Sequence, residues 1–135
     1  MSKKIFVNLA VKDLNKSIEF FTKLGFTFNP QFTDDKATCM IIAEDIFAML
    51  LVDQFFKSFI DTEICDTKKN TEVLVALSFD SREEVNEMYD KAITNGGKQQ
   101  REHQEMGWML QKSFKDLDGH IWEMIFMDVE AMPKN

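Results

Sequence analysis

Few residues in this chain can do metal or acid–base chemistry. It has two histidines, His103 and His120, and two cysteines, Cys39 and Cys65, set among 23 carboxylates. The stretch "FKDLDGHIWEMIFMD", Phe114 to Asp128, places His120 three residues before Glu123 inside an apolar run. Side chains alternate along a strand, so His120, Trp122 and Met124 would face one way and Ile121, Glu123 and Ile125 the other. His120 and Glu123 then cannot share an ion without a bulge. "DLDG" has the chemistry of a turn, with Gly119 supplying positive φ and His120 opening the last strand, bonded locally or solvated. Glu123, between Ile121 and Ile125, is expected in an apolar setting where its carboxylate must be paired, hydrogen-bonded or protonated. Two roles are open to it: a structural partner of Ser78 or Asn8, or a ligand-orienting carboxylate or general base with a raised pKa. His103, in "REHQEMG", reads as part of an exposed hairpin or edge strand, the alternative being a general base at a cleft mouth. The cysteines share no metal-ligand spacing and are expected to be incidental thiols in a reducing cytoplasm.

The elements that would position these groups come in a repeated order. Ile5, Val7, Leu9 and Val11 alternate in "KKIFVNLAVKDL", the period of a strand. Asp13 can cap a helix whose apolar residues Leu14, Ile18, Phe21 and Leu24 recur at spacings of three and four, and Gly25 can end it. "FTFNPQF", "ATCMIIAE" and "IFAMLLVD" follow as strands. A second unit starts with the strand "EVLVALSFD". Ser81 and Glu84 then form a capping box for a helix with Val85, Met88, Tyr89, Ala92 and Ile93 on its apolar face. "KQQREHQE", "GWMLQKSFKD" and "IWEMIFMD" complete a second β-α-β-β-β order. Aligning Asp13 with Asp80 gives an offset of 67 residues, about half the chain, which points to an internal duplication. The expected organisation is a first module over 1–53, a short helix and linker over 54–71, a second module over 72–128 and a tail over 129–135. In the linker, Phe55, Phe56, Phe59 and Ile60 sit at helical spacing, and this face is expected to pack on a sheet, the alternative being that it covers a ligand site.

Composition narrows the function classes. A 44% hydrophobic content is that of a globular domain, and the longest apolar run, Ile46 to Val52, is too short to cross a bilayer, so no membrane partner is expected. No secretory signal is evident, consistent with a cytoplasmic location. A net charge of -7 would repel a phosphate backbone, and nucleic acid is not an expected partner.

Val-x-Asp-Leu at Val11 to Leu14, Phe-Phe-x-x-Leu-Gly-Phe at Phe20 to Phe26, and Asp-x-Asp-Gly-x-x-x-Glu at Asp116 to Glu123 occur in the order found in the vicinal oxygen chelate superfamily. The chain resembles that superfamily of glyoxalases, bleomycin-resistance proteins, fosfomycin-resistance enzymes and ring-cleaving dioxygenases, and in detail its predicted lactoylglutathione lyase-like bacterial branch. The resemblance implies an α+β fold: two βαβββ modules forming an eight-stranded mixed, curved sheet around a cleft, with helices outside. It also implies a homodimer. In members that use a metal, four inward-facing strand positions supply the ligands. Here they correspond to Phe6, Met49 (Leu51 if the register slips by two), Leu74 and Glu123. Neither Phe6 nor Leu74 can donate, and a thioether suits such ions poorly. No metal or other cofactor is therefore expected. The expected cleft lining includes Phe6, Asn8, Met49, Leu74, Ala76, Ser78, Ile121 and Glu123, with Trp108 and Met109 nearby on opposite faces of one strand. The leading expectation is a protein that binds a small, partly apolar molecule, cations included, without metal. The alternative is a metal-dependent lyase, isomerase or transferase of the glyoxalase I type that uses Glu123 as its catalytic carboxylate.

Overall fold

The computed structural model describes residues 3–134. The chain divides into two compact units, Met1–Asp66 and Thr67–Asn135.

In the first unit, strand β1 (Ile5–Val11) leads into helix α1 (Leu14–Lys23), followed by β2 (Thr27–Asn29), β3 (Ala37–Ala43), β4 (Ile46–Val52) and the short helix α2 (Asp53–Lys57). Asp13 caps α1 as expected, its side chain accepting from the Lys16 N–H, and Gly25 leaves the helix at φ 106°. The strands form one mixed sheet in the order β1-β4-β3-β2, with β1 parallel to β4 and the other pairs antiparallel. On one face Leu9, Val11, Met40, Ala48 and Leu50 are buried, as are Leu14, Phe20 and Phe21 of α1, which packs against β3 and β4. Each such aliphatic side chain removed from water contributes roughly 2 kcal/mol, enough in sum to fix which sheet face the helix covers.

The second unit repeats this plan. It runs through β5 (Leu74–Ser78), α3 (Arg82–Thr94), β6 (Lys98–Gln99), β7 (Gln104–Met106), β8 (Met109–Lys115) and β9 (Ile121–Met127). The sheet order is β5-β9-β8-β6, with β5 parallel to β9 and β7 paired to β8. Trp122, Met124, Phe114 and Leu110 are buried on the face that carries α3, whose own buried residues are Val85, Tyr89 and Ala92.

The expected α+β class with two βαβββ modules is what the chain adopts. Nine strands are present where eight were expected, because "KQQREHQE" breaks into β6 and β7 around Arg101–His103. "FTFNPQF" is strand only over Thr27–Asn29 and then turns through a 3-10 segment, Pro30–Phe32, since proline removes a ladder donor. The equivalent helix caps are Asp13 and Ser81, whose side chain accepts from the Glu84 N–H. The repeat is thus one residue longer than the Asp13–Asp80 alignment implies.

Candidate functional site

Strand alternation and register assign each candidate residue to a face. In the second unit Leu74, Ala76 and Ser78 of β5 lie level with Ile121, Glu123 and Ile125 of β9, and these in turn with Lys115, Ser113 and Gln111 of β8. These residues share the face away from α3. Glu123 is half-buried, with the small side chains of Ala76 and Ser113 on its two sides. Its carboxylate makes no hydrogen bond or ion pair to any described residue. Of the two roles expected for it, the structural pairing with Ser78 or Asn8 is not made among the described residues. Ser78, one expected partner, is level with Ile125 instead, and the amide of Asn8, the other, donates to the Phe6 carbonyl at 3.3 Å.

Polar groups continue along this face. The Ser113 hydroxyl donates to Gln100 Oε1 at 2.8 Å, and Arg101 donates to Gln111 Oε1 at 3.0 Å. Met109, at the end of β8, is level with Met127 and so lies on the Glu123 face, where it is buried. Trp108 stands in the turn before the strand, its carbonyl accepting from the Asp128 N–H. Of these two, β8 therefore carries only Met109 to the Glu123 face.

In the first unit Phe6 and Asn8 of β1 are level with Phe47 and Met49 of β4. The pairing is continuous through Val11 and Val52, which places Leu51 on the same face as Met49. Phe6 is 49% exposed and stacks on Phe47 with ring centroids 4.9 Å apart and an interplanar angle of 14°. Asn8 lies beside α2, where it helps line a pocket of about 400 Å³. Leu74, the matching position in the second unit, is 55% exposed.

His103 is exposed between β6 and β7, as expected, whereas His120 is neither locally bonded through its ring nor solvated. His120 is 4% exposed, and its Nδ1 lies 3.0 Å from Glu72 Oε1. Asp116 organises the turn around it. One carboxylate oxygen accepts the backbone N–H groups of Asp118 and His120, and the other accepts Trp122 Nε1, each at 3.0 Å. Burial pushes the Asp116 carboxyl above its ordinary pKa, against the opposing pull of His120, the indole and the Asp118 amide. His103 packs edge-on against Tyr89 of α3, centroids 4.8 Å apart, and burial together with nearby Lys112 lowers its pKa. Tyr89 and Lys112 belong to the helix-covered side, opposite the face that carries Glu123. Sequence patterning gave no sign of the Glu72–His120 contact, which joins residues 48 apart.

The residues that the resemblance aligns with the superfamily's metal-ligand positions are a stacked ring, Phe6, a thioether, Met49, an exposed isobutyl group, Leu74, and one carboxylate, Glu123. This donor set does not fit a divalent ion. No cluster of three or more His, Cys, Asp or Glu residues able to hold one occurs among the described residues.

The family model described as the Glyoxalase/Bleomycin resistance protein/Dioxygenase superfamily matches residues 5–124. The chain belongs to this superfamily. Its structure is similar to that of hypothetical protein SA1046 from S. aureus, at 28% identity and TM-score 0.77, covering 93% of this chain and 95% of that one. It also resembles a glyoxalase/bleomycin resistance protein/dioxygenase family enzyme from Burkholderia phytofirmans PsJN, at 14% identity and TM-score 0.75, covering 93% and 99%. The fosfomycin resistance protein FosX from Listeria monocytogenes is similar at 21% identity and TM-score 0.69, covering 100% and 96%. The last two likenesses concern the superfamily fold alone. No curated protein matches the chain in sequence.

Proposed function

We propose that this glyoxalase-superfamily protein binds a small, partly apolar organic cation on the Glu123 face of its second unit, without a metal. The observation that carries this reading is the Glu123 carboxylate, which has no partner among the described residues and is flanked by Ala76 and Ser113, side chains small enough to leave room. A carboxylate in a half-buried setting interacts more strongly with a cation than one in open water, because fewer waters screen it. Ile125, half-buried, offers apolar area for the body of a ligand, while Ser78, Gln100 and Gln111 offer hydrogen-bonding groups. The net charge of -7 favours the approach of a cation. The role is one of holding and sequestering a molecule in the manner of a bleomycin-resistance protein.

Chelator-treated protein titrated with benzylamine, a cation at neutral pH, and with benzyl alcohol, its neutral counterpart, tests this. Benzylamine is expected to bind the more tightly, with Glu123→Gln weakening it at least about tenfold, the scale of a hydrogen bond to a charged group. Equal binding of the two probes would refute it.

A homodimer belongs to the same reading. β1 and β5 each end their sheet, and Ile5, Phe6 and Leu74 are exposed on them. Exposed apolar side chains on such strands favour association with a further chain.

A further inference from the structure

The segment between β6 and β7 and the helix-covered face of β8 bring three hydrogen-bond donors together with no acceptor among them. In β6, Lys98 is level with Lys115 and Gln99 with Phe114 of β8, and the Gln100 N–H still donates to the Ser113 carbonyl. In β7, Gln104 is level with Gln111 and Glu105 with Leu110, so the chain gains two residues on β8 before β7 begins. Extending the β7 register back by one residue puts His103 opposite Lys112.

Tyr89 of α3 completes the cluster. His103 meets its ring edge-on with centroids 4.8 Å apart, and Lys112 Nζ stands 5.1 Å from the ring centroid. The cation–π contact holds the ammonium over the ring but gives its N–H groups no oxygen acceptor. Tyr89 is buried, yet its hydroxyl makes no hydrogen bond to a described residue. Since no fully buried side-chain polar atom lacks a partner, that hydroxyl reaches the surface. Neither His103 nor Lys112 has a hydrogen-bond or ion-pair partner among the described residues, in a chain with 23 carboxylates to 16 lysines and arginines. Other cations of this unit are matched, Arg82 with Glu105 at 2.6 Å and Lys91 with Glu87 at 3.3 Å.

The electrostatics agree with uncompensated positive charge. Partial burial and the charge of Lys112 hold the His103 pKa below its ordinary value. Burial, and then Asp90, push the Tyr89 phenol up, which keeps it a neutral donor. Of the charged neighbours of His103 in sequence, Glu102 is exposed and Arg101 donates to Gln111 on the other face of β8. A dianion among the three donors would accept charge-assisted hydrogen bonds and offset the repulsion between His103 and Lys112. We infer that His103, Lys112 and the Tyr89 hydroxyl bind a tetrahedral dianion, either free phosphate or the phosphate group of a small monoester. This site lies on the sheet face opposite Glu123, since Lys112 is level with Met124 and Ser113 with Glu123.

The His103 imidazole NMR signal of the full-length protein, titrated with pH at constant ionic strength, tests the inference. Sulfate is the probe, because it stays dianionic where histidine titrates, and methanesulfonate is the monoanion of similar shape. Saturating sulfate is expected to raise the His103 midpoint by about one unit, the low end of what an adjacent opposite charge does. By linkage, sulfate then binds about tenfold more tightly to the protonated imidazole. Methanesulfonate should move the midpoint less, and Lys112→Met should weaken sulfate binding about tenfold, the scale of a hydrogen bond to a charged group. Phenyl phosphate and inorganic phosphate, compared by the same signal, separate the two sources: tighter binding of the first assigns the site to a monoester, equal binding to the free ion. A sulfate shift no larger than that of methanesulfonate, or sulfate binding undiminished by Lys112→Met, would overturn the assignment.

Discussion

Asp116 shows how much one side chain can hold together. Its carboxylate receives two backbone N–H groups and the Trp122 indole in a buried turn, so Asp116→Ala leaves three donors without their acceptor. A loss of roughly 3 kcal/mol of unfolding free energy is expected, since each buried donor left unmatched costs about 1–3 kcal/mol and water can reach some of the emptied space. Urea denaturation measures it, and a change below about 0.5 kcal/mol would contradict the network. Its pH dependence has a definite sign. Burial raises the carboxyl's folded pKa above the unfolded value of about 3.9, so the folded state favours the protonated acid. That contribution is fully present below the unfolded pKa and is lost as pH rises through the folded one. Asp116→Asn should flatten this decline. For His103, whose pKa Lys112 and burial lower, Lys112→Met should raise the NMR titration midpoint, and an unmoved midpoint would mean the lysine exerts no field there.

At the level of elements, the helices announce themselves in the sequence. Asp13 and Ser81 each accept the N–H three residues on, and replacing either by alanine should cost about 1 kcal/mol, measurable as paired shifts in thermal unfolding. Capping chemistry is local, which is why both starts were readable from residue order alone, as was the turn at Gly119, where φ is +91° and the Thr67 carbonyl would lie 2.8 Å from any added Cβ. What escaped that reading depends on partners distant in sequence. "KQQREHQE" has no apolar alternation, and its division into β6 and β7 is set by pairing along β8. The aromatic spacing of Phe55 to Ile60 suggests a helix, but α2 ends at Lys57, before Phe59 and Ile60, and spacing carries no information on whether the face is sealed; in the folded unit it borders a pocket. Alternation places Glu123 on the strand face of Ile121 and Ile125, while its neighbours Ala76 and Ser113 are brought alongside only by register.

For the whole molecule, the duplicated plan sets one sheet against a functional contrast with the other. The pair Asn8–Met49 in the first unit corresponds to Ala76–Glu123 in the second, so equivalent positions hold an amide beside a thioether in one copy and a methyl beside a carboxylate in the other. Charge enters the two faces asymmetrically as a result. The proposed homodimer predicts a light-scattering mass twice the 15.8 kDa of the chain at micromolar concentration, and a mass equal to the single chain would refute it. The central claim is metal-independent recognition of an organic cation by Glu123. It is tested most directly by calorimetric titration of benzylamine into chelator-treated protein, the same protein resupplied with divalent metal, and Glu123→Gln. The account predicts equal affinities for the first two and a value at least about tenfold weaker for the third. Binding that appears only with metal, or that survives Glu123→Gln unchanged, would contradict it.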